Sequence, residues 1–179
     1  MAQRGSVDVA APIGRAGRRL LRSLTTWPDL AGWAFSGAVG AATLAGMGAI
    51  GFSAGYYVLH PALTAGLPMR LVGVLIAPGL GEEAPFRGLL IPDRSETRNP
   101  WPSLAVVTAM FTAWHVVEVF TFLPAAQAAF LRPDFLACAA TLGLGCGLVR
   151  WRTGSLWPAV ALHWLAVTIW QTWLGGFTL

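Results

Sequence analysis

The apolar residues of this chain come in long runs separated by short segments that hold Pro, Arg and Asp, and five runs stand out: residues 31–59, 67–91, 102–124, 135–151 and 156–176. Each approaches the roughly 20 residues that a helix rising about 1.5 Å per residue needs to cross a hydrocarbon layer about 30 Å thick. The pattern predicts an all-α protein, a multi-spanning transmembrane helix bundle of about five spans. Composition agrees, because 55% hydrophobic residues, 11% charged residues and a mean hydropathy of +0.60 lie outside the usual range of a soluble domain.

All twelve basic residues are arginine, and basic residues in short loops stay on the cytoplasmic side. With five spans and the N-terminus inside, Arg4, Arg15, Arg18, Arg19, Arg22, Arg87, Arg94, Arg98, Arg150 and Arg152 fall at the cytoplasmic face, and only Arg70 and Arg132 outside. That split predicts an N-in, C-out topology. The net charge of +4 then marks orientation in the membrane, and no nucleic acid partner is expected. Residues 1–29, with five arginines and no apolar run, read as a mobile Arg-rich cytoplasmic tail, and residues 30–179 as the membrane domain. Cys138 and Cys146 read as packing residues of the fourth span. The spacings Gly51-xxx-Gly55 and Gly143-xxx-Gly147 suggest close helix packing.

An ionisable side chain at bilayer depth is costly unless paired or hydrated. Six occur within the runs: Glu82, Glu83 and Arg87 in the second, His115 and Glu118 in the third, His163 in the fifth. Counted from the cytoplasmic ends, Glu82, Glu83 and His163 lie roughly 10 to 14 Å deep and His115 nearer roughly 20 Å, so three spans bring polar groups to similar levels. Residues four apart share a helical face, which lets Glu83 pair with Arg87 and turns Glu82 elsewhere, toward water or a histidine of another span. Glu82 is therefore a candidate general base. The stretch Ala77-Pro78-Gly79-Leu80-Gly81 predicts either a break in the second span beside a wet cavity or a plain proline kink. Glu118, three residues after His115, is placed either to orient the imidazole or to face a cavity of the outer leaflet.

Glu82-Glu83-Ala84-Pro85-Phe86-Arg87-Gly88 reads as EExxFRG and Phe111-Thr112-Ala113-Trp114-His115 as FxxxH. A third block, Arg152-Thr153-Gly154-Ser155-Leu156-Trp157-Pro158, leads to His163. Together, over roughly residues 70–175, they resemble the CPBP family, the CAAX protease and bacteriocin-processing (Abi) intramembrane enzymes. The resemblance implies a CPBP-like protease domain over 30–179, an integral protein of a bacterial inner membrane, and an intramembrane endopeptidase acting on a membrane-anchored protein or peptide near the cytoplasmic side. It implies that Glu82 activates water with help from His115, that His163 stabilises the oxyanion, and that Glu83 and Arg87 support the site. C-terminal anchor sorting or bacteriocin maturation are tasks within that family. No cofactor is expected under a glutamate-type mechanism; zinc or another divalent metal held by Glu82, His115 and His163 is the alternative. One departure stands out, because the family's third motif is commonly HxxxN and Val167 occupies the asparagine position. Thr168, Gln171 and Trp164 are the donors nearby, and none is an obvious substitute. This departure motivates the alternative of a catalytically impaired protein of the same fold that binds a peptide or partner, as an immunity protein would.

Overall fold

The computed structural model describes residues 10–62 and 65–177, with side chains from residue 14 onward. Part of the segment expected as a mobile tail is helical: α1 spans Ala10–Thr25, while the first nine residues, Arg4 among them, lie outside the described residues. The leucines of α1 explain its placement. Leu20 packs so closely on Gly88 that a β-carbon there would lie 2.5 Å from Leu20 Cδ1. Ser23 is buried, its carbonyl accepts from Leu156 N at 2.9 Å, and the Leu24 carbonyl accepts from the Trp157 indole at 3.0 Å.

Helix α2 (Leu30–Ser53) begins at Asp29, whose side chain accepts from Gly32 N at 2.7 Å, satisfying one of the orphan donors of a helix start. The second apolar run is a continuous right-handed helical segment with two widened stretches. It consists of α3 (Leu67–Val74), a π-helical stretch Leu75–Leu80, the single turn α4 (Gly81–Glu83) and a second π-helical stretch Ala84–Leu89. This is neither a break nor a plain kink. Pro78 and Pro85 each lie within a π stretch, where wider i→i+5 winding accommodates a residue that has no N–H and crowds the carbonyl four residues back.

Helix α5 (Trp101–Thr121) is followed by a 3-10 turn (Pro124–Ala126), the short α6 (Gln127–Phe130), α7 (Pro133–Thr153) and α8 (Trp157–Trp173). Among the described residues three helices, α2, α5 and α7, are long and apolar enough to cross a membrane. The second run divides between α and π winding, and α8 has 17 residues.

Helix α7 is the centre of the bundle and packs against α2, α5 and α8. Its glycines permit the close approach: Gly145 faces Thr43 of α2, Gly147 faces Leu104 of α5, and Gly143 backs onto Phe111 and Arg87. Gly51 of α2 lies against the Tyr57 ring, whereas Gly55 serves the turn, with φ +64°. Cys138 and Cys146 are free and buried, as packing residues would be.

Charge is segregated along the bundle. At one end Arg19 pairs with Glu96 at 2.8 Å, Arg22 with Asp93 at 3.2 Å, and Arg94 N donates to the Trp151 carbonyl at 3.0 Å. At the other end lie Arg132, paired with Asp134 at 2.6 Å, and Arg70. Arg87 belongs to neither end: expected at a membrane face, it is fully buried because Glu83 and the Phe111 ring enclose it.

Candidate active site

The two adjacent glutamates leave α4 in different directions, as successive helical positions must. Glu83 is fully buried, and one of its oxygens, Oε1, serves two basic groups: Arg87 Nη1 at 3.0 Å, one helical turn on, and His163 Nδ1 of α8 at 2.8 Å. The Arg87 contact is an ion pair without an aligned N–H. Its guanidinium is held instead by the face of Phe111, 4.0 Å from the ring centroid. Glu82 turns to a large cavity inside the bundle, with Oε2 3.9 Å from His163 Nε2 and free of any hydrogen-bond partner among the described residues.

Carbonyl and carboxylate oxygens accept, so the partners fix the protons on both imidazoles. His163 Nδ1 donates to Glu83, and its Nε2 faces Glu82. His115 Nδ1 donates to the Phe111 carbonyl at 2.9 Å, which leaves Nε2 with a lone pair. Among the described residues the hydrogen bond of the His115 ring goes to the Phe111 carbonyl one turn back and not to Glu118. Glu118 is itself buried and lines the cavity.

Phe111 organises this arrangement, although sequence reasoning gave it no role of its own. Its ring makes edge contacts with His115 (4.8 Å between centroids) and His163 (5.7 Å) while bearing Arg87 on its face. The signal was its i, i+4 relation to His115, which puts both on one face of α5.

Glu82, His115 and His163 share the wall of this one cavity, of about 990 Å³. Its remaining wall is mainly apolar, including Leu142, Phe130, Phe135 and Trp170, and it extends to Gly66, Arg70 and Gln171. The cavity therefore extends away from the arginine-rich end. The whole length of the α3–α4 segment bounds it, and the polar cluster sits at its inner end.

Val167 also lines the cavity and offers no donor. Gln171 lines it a turn farther on, and its backbone carbonyl accepts from Arg70 at 3.5 Å. Thr168 is buried with its hydroxyl unpaired among the described residues. The Trp164 indole is committed to the Leu71 carbonyl at 2.9 Å, tying α8 to α3, whereas Trp114 lines the cavity. Among the described residues, no three His, Cys, Asp or Glu side chains converge to hold a metal ion. His163 gives Nδ1 to Glu83 and keeps Nε2 toward Glu82, the arrangement in which a carboxylate orients a ring whose other nitrogen stays available.

No curated protein and no solved structure matches the chain. The model of the family described as type II CAAX prenyl endopeptidase Rce1-like matches residues 62–169, which include Glu82, Glu83, Arg87, His115 and His163. That match covers more than half of the sequence, and the chain belongs to this Rce1-like CAAX endopeptidase family.

Proposed function

We propose that this protein is an intramembrane endopeptidase that hydrolyses a peptide bond of a membrane-associated protein or peptide by a glutamate-type mechanism. The observation that carries the reading is the position of His163 between two glutamates, Nδ1 on Glu83 at 2.8 Å and Nε2 toward Glu82 at 3.9 Å, on the wall that also holds His115. In this mechanism Glu82 removes a proton from a water molecule that also donates to His115 Nε2. The resulting hydroxide attacks the scissile carbonyl carbon, and the carbonyl π electrons move to its oxygen. His163, oriented by Glu83 through Nδ1, donates from Nε2 to that oxyanion when the ring carries both protons. Collapse of the tetrahedral intermediate breaks the C–N bond, and protonated Glu82 returns its proton to the leaving amine. Glu83 and Arg87 act through His163 as positioning residues.

In the same proposal all five runs span a bacterial inner membrane with the arginine-rich end in the cytoplasm, and substrate enters from the opposite end. Sorting of C-terminal anchors and bacteriocin maturation are tasks such an enzyme performs. The test is cleavage of membrane-anchored peptides by the purified protein in detergent, compared with Glu82→Gln and His115→Ala. Cleavage that persists unchanged in both variants would overturn the assignment. Tight stoichiometric zinc in the active preparation would replace the metal-free route with a metal-assisted one.

A second reading rests on Val167. With an alkyl group on the cavity wall where an amide donor is expected, a protein of this fold binds a peptide without cutting it. Binding of the same peptides with no product from wild type would favour that reading.

A further inference from the structure

The cavity has opposite charges at its two ends. Glu82 and Glu118 line one end, Arg70 the other, and among the described residues Arg70 is the only arginine or lysine on its wall. Arg70 is half-buried and without a carboxylate partner among the described residues. Its side-chain hydrogen bonds there are two long ones from Nη1, at 3.5 Å, to the carbonyls of Ala62 and Gln171. Those carbonyls belong to a braced corner. Ala62 N donates to the Thr172 carbonyl at 2.7 Å and His60 N to the Trp173 carbonyl at 2.8 Å, so the segment after α2 is bonded along the end of α8. The brace fixes one edge of the guanidinium. Its Nε and Nη2 make no hydrogen bond among the described residues. A guanidinium so held is prepared for a bidentate oxyanion.

We infer that Arg70 forms a carboxylate-reading subsite that docks an anionic group of the peptide substrate at a fixed distance from the scissile bond, an inference that rests on the endopeptidase reading above. Arg70 and Glu82 lie twelve positions apart on one helical segment, roughly 18 Å at 1.5 Å per residue and somewhat less through the π turns. An extended peptide rises about 3.3 Å per residue, so the carboxylate docks roughly five residues from the cut. The intervening wall is apolar, with Leu142, Phe130 and Trp170, and suits apolar side chains between the two points. The carboxylate is either the peptide's C-terminus or an Asp or Glu side chain.

The experiment uses one apolar acylated peptide in micelles in three forms: free C-terminal carboxylate, C-terminal amide, and amide with a single Glu about five residues past the cut. For wild type, kcat/KM for the free acid is expected to exceed that for the plain amide at least tenfold. The ratio should collapse toward one in Arg70→Gln and survive in part in Arg70→Lys. Rescue of the amide by the internal Glu assigns the subsite to side chains, and failure of that rescue assigns it to the C-terminus. Binding of the same peptides to Glu82→Gln, followed by tryptophan fluorescence, reads the same preference without turnover. Preference in binding with no cleavage by wild type would sink the endopeptidase reading and leave the subsite standing. Equal binding and equal cleavage of free acid and amide would overturn the subsite, as would a preference abolished by adding phosphatidylglycerol, which would give the guanidinium to lipid headgroups.

Discussion

Glu82 and Glu83 are neighbours in sequence and opposites in environment, and substitution should separate them. Glu83 is fully buried and shares one oxygen between Arg87 and His163. Neutralising it strands a buried guanidinium, a loss of about 3 to 5 kcal/mol. Glu82 stands on the cavity wall with an unpartnered oxygen, so its neutral isostere should change stability by less than about 1 kcal/mol, in the range of substitutions that break no buried network. We therefore expect Glu83→Gln to lower the unfolding temperature in detergent strongly and Glu82→Gln hardly at all, while both abolish cleavage. Equal thermal shifts would contradict the assigned division of labour. Val167 supports a prediction of the opposite sign. An oxyanion donor is worth roughly 3 kcal/mol, so Val167→Asn is expected to raise kcat, by up to about 10²-fold, with little change in KM. The pairing of Glu83 with Arg87 was legible in the sequence because it depends only on i, i+4 spacing. The Glu83–His163 bond was not, because it depends on how α8 meets α4 across the bundle.

The segment from Leu67 to Leu89 shows where reading from sequence stops. Prolines and glycines announced irregular winding, and the structure resolves it by widening the helix twice. Each π stretch shifts the helical register of the residues beyond it, so the directions taken by Glu82, Glu83 and Arg87 cannot be obtained from a uniform 100° step. Helix α1 was missed for a different reason: its stability comes from contacts with Gly88, Leu156 and Trp157, all distant in sequence, and a short arginine-rich segment has little helical stability alone. The glycines of α7, by contrast, were readable as close-packing positions, and they yield a test. A β-carbon at Gly143 would lie 3.1 Å from Phe111 Cδ1 and 3.2 Å from Arg87 Nη2. One at Gly147 would crowd the tip of Leu104, at 2.6 Å, with Ile91 Cδ1 at an ordinary 3.8 Å. Overpacking costs about 1 to 3 kcal/mol, partly offset in each case by the roughly 1 kcal/mol helix preference of Ala over Gly. Gly143→Ala and Gly147→Ala should therefore destabilise comparably. Only Gly143→Ala should reduce kcat, because it presses on the ring and the guanidinium that hold the catalytic pair. Equal kcat in both variants, measured beside their melting curves, would show that Phe111 and Arg87 tolerate displacement.

At the scale of the whole molecule, the charged end is a clamp that joins α1 to the catalytic segment. Arg19 donates to Glu96 and also to the carbonyls of Leu89 and Leu90, where the second π stretch ends. Cations are favoured at such a C-terminus. The Arg19 hydrogen bond holds Glu96 below its ordinary range against the cost of burial. Burial raises Asp93, but hydrogen bonds from Ser95 outweigh it, and with the charges of Arg150 and Arg22 hold that carboxyl low as well. Groups whose acidity is strengthened by folding bind fewer protons in the native than in the unfolded state. Their contribution is complete above the unfolded carboxyl values, about 4, and is lost as pH falls through the lower folded values. The clamp should thus be intact at neutral pH and open in acid, freeing α1 from the helix that carries Glu82 and Glu83. Proteolysis within α1 is expected to accelerate below about pH 4 before the rest of the bundle loses its helical signal. Glu96→Gln should show faster cleavage of α1 already at neutral pH, with a weaker dependence on acid, because the group whose protonation releases Arg19 is gone. If α1 stays protected in Glu96→Gln at neutral pH, its contacts with Gly88, Leu156 and Trp157 suffice to hold it, and the arginine–glutamate pair is incidental to the clamp.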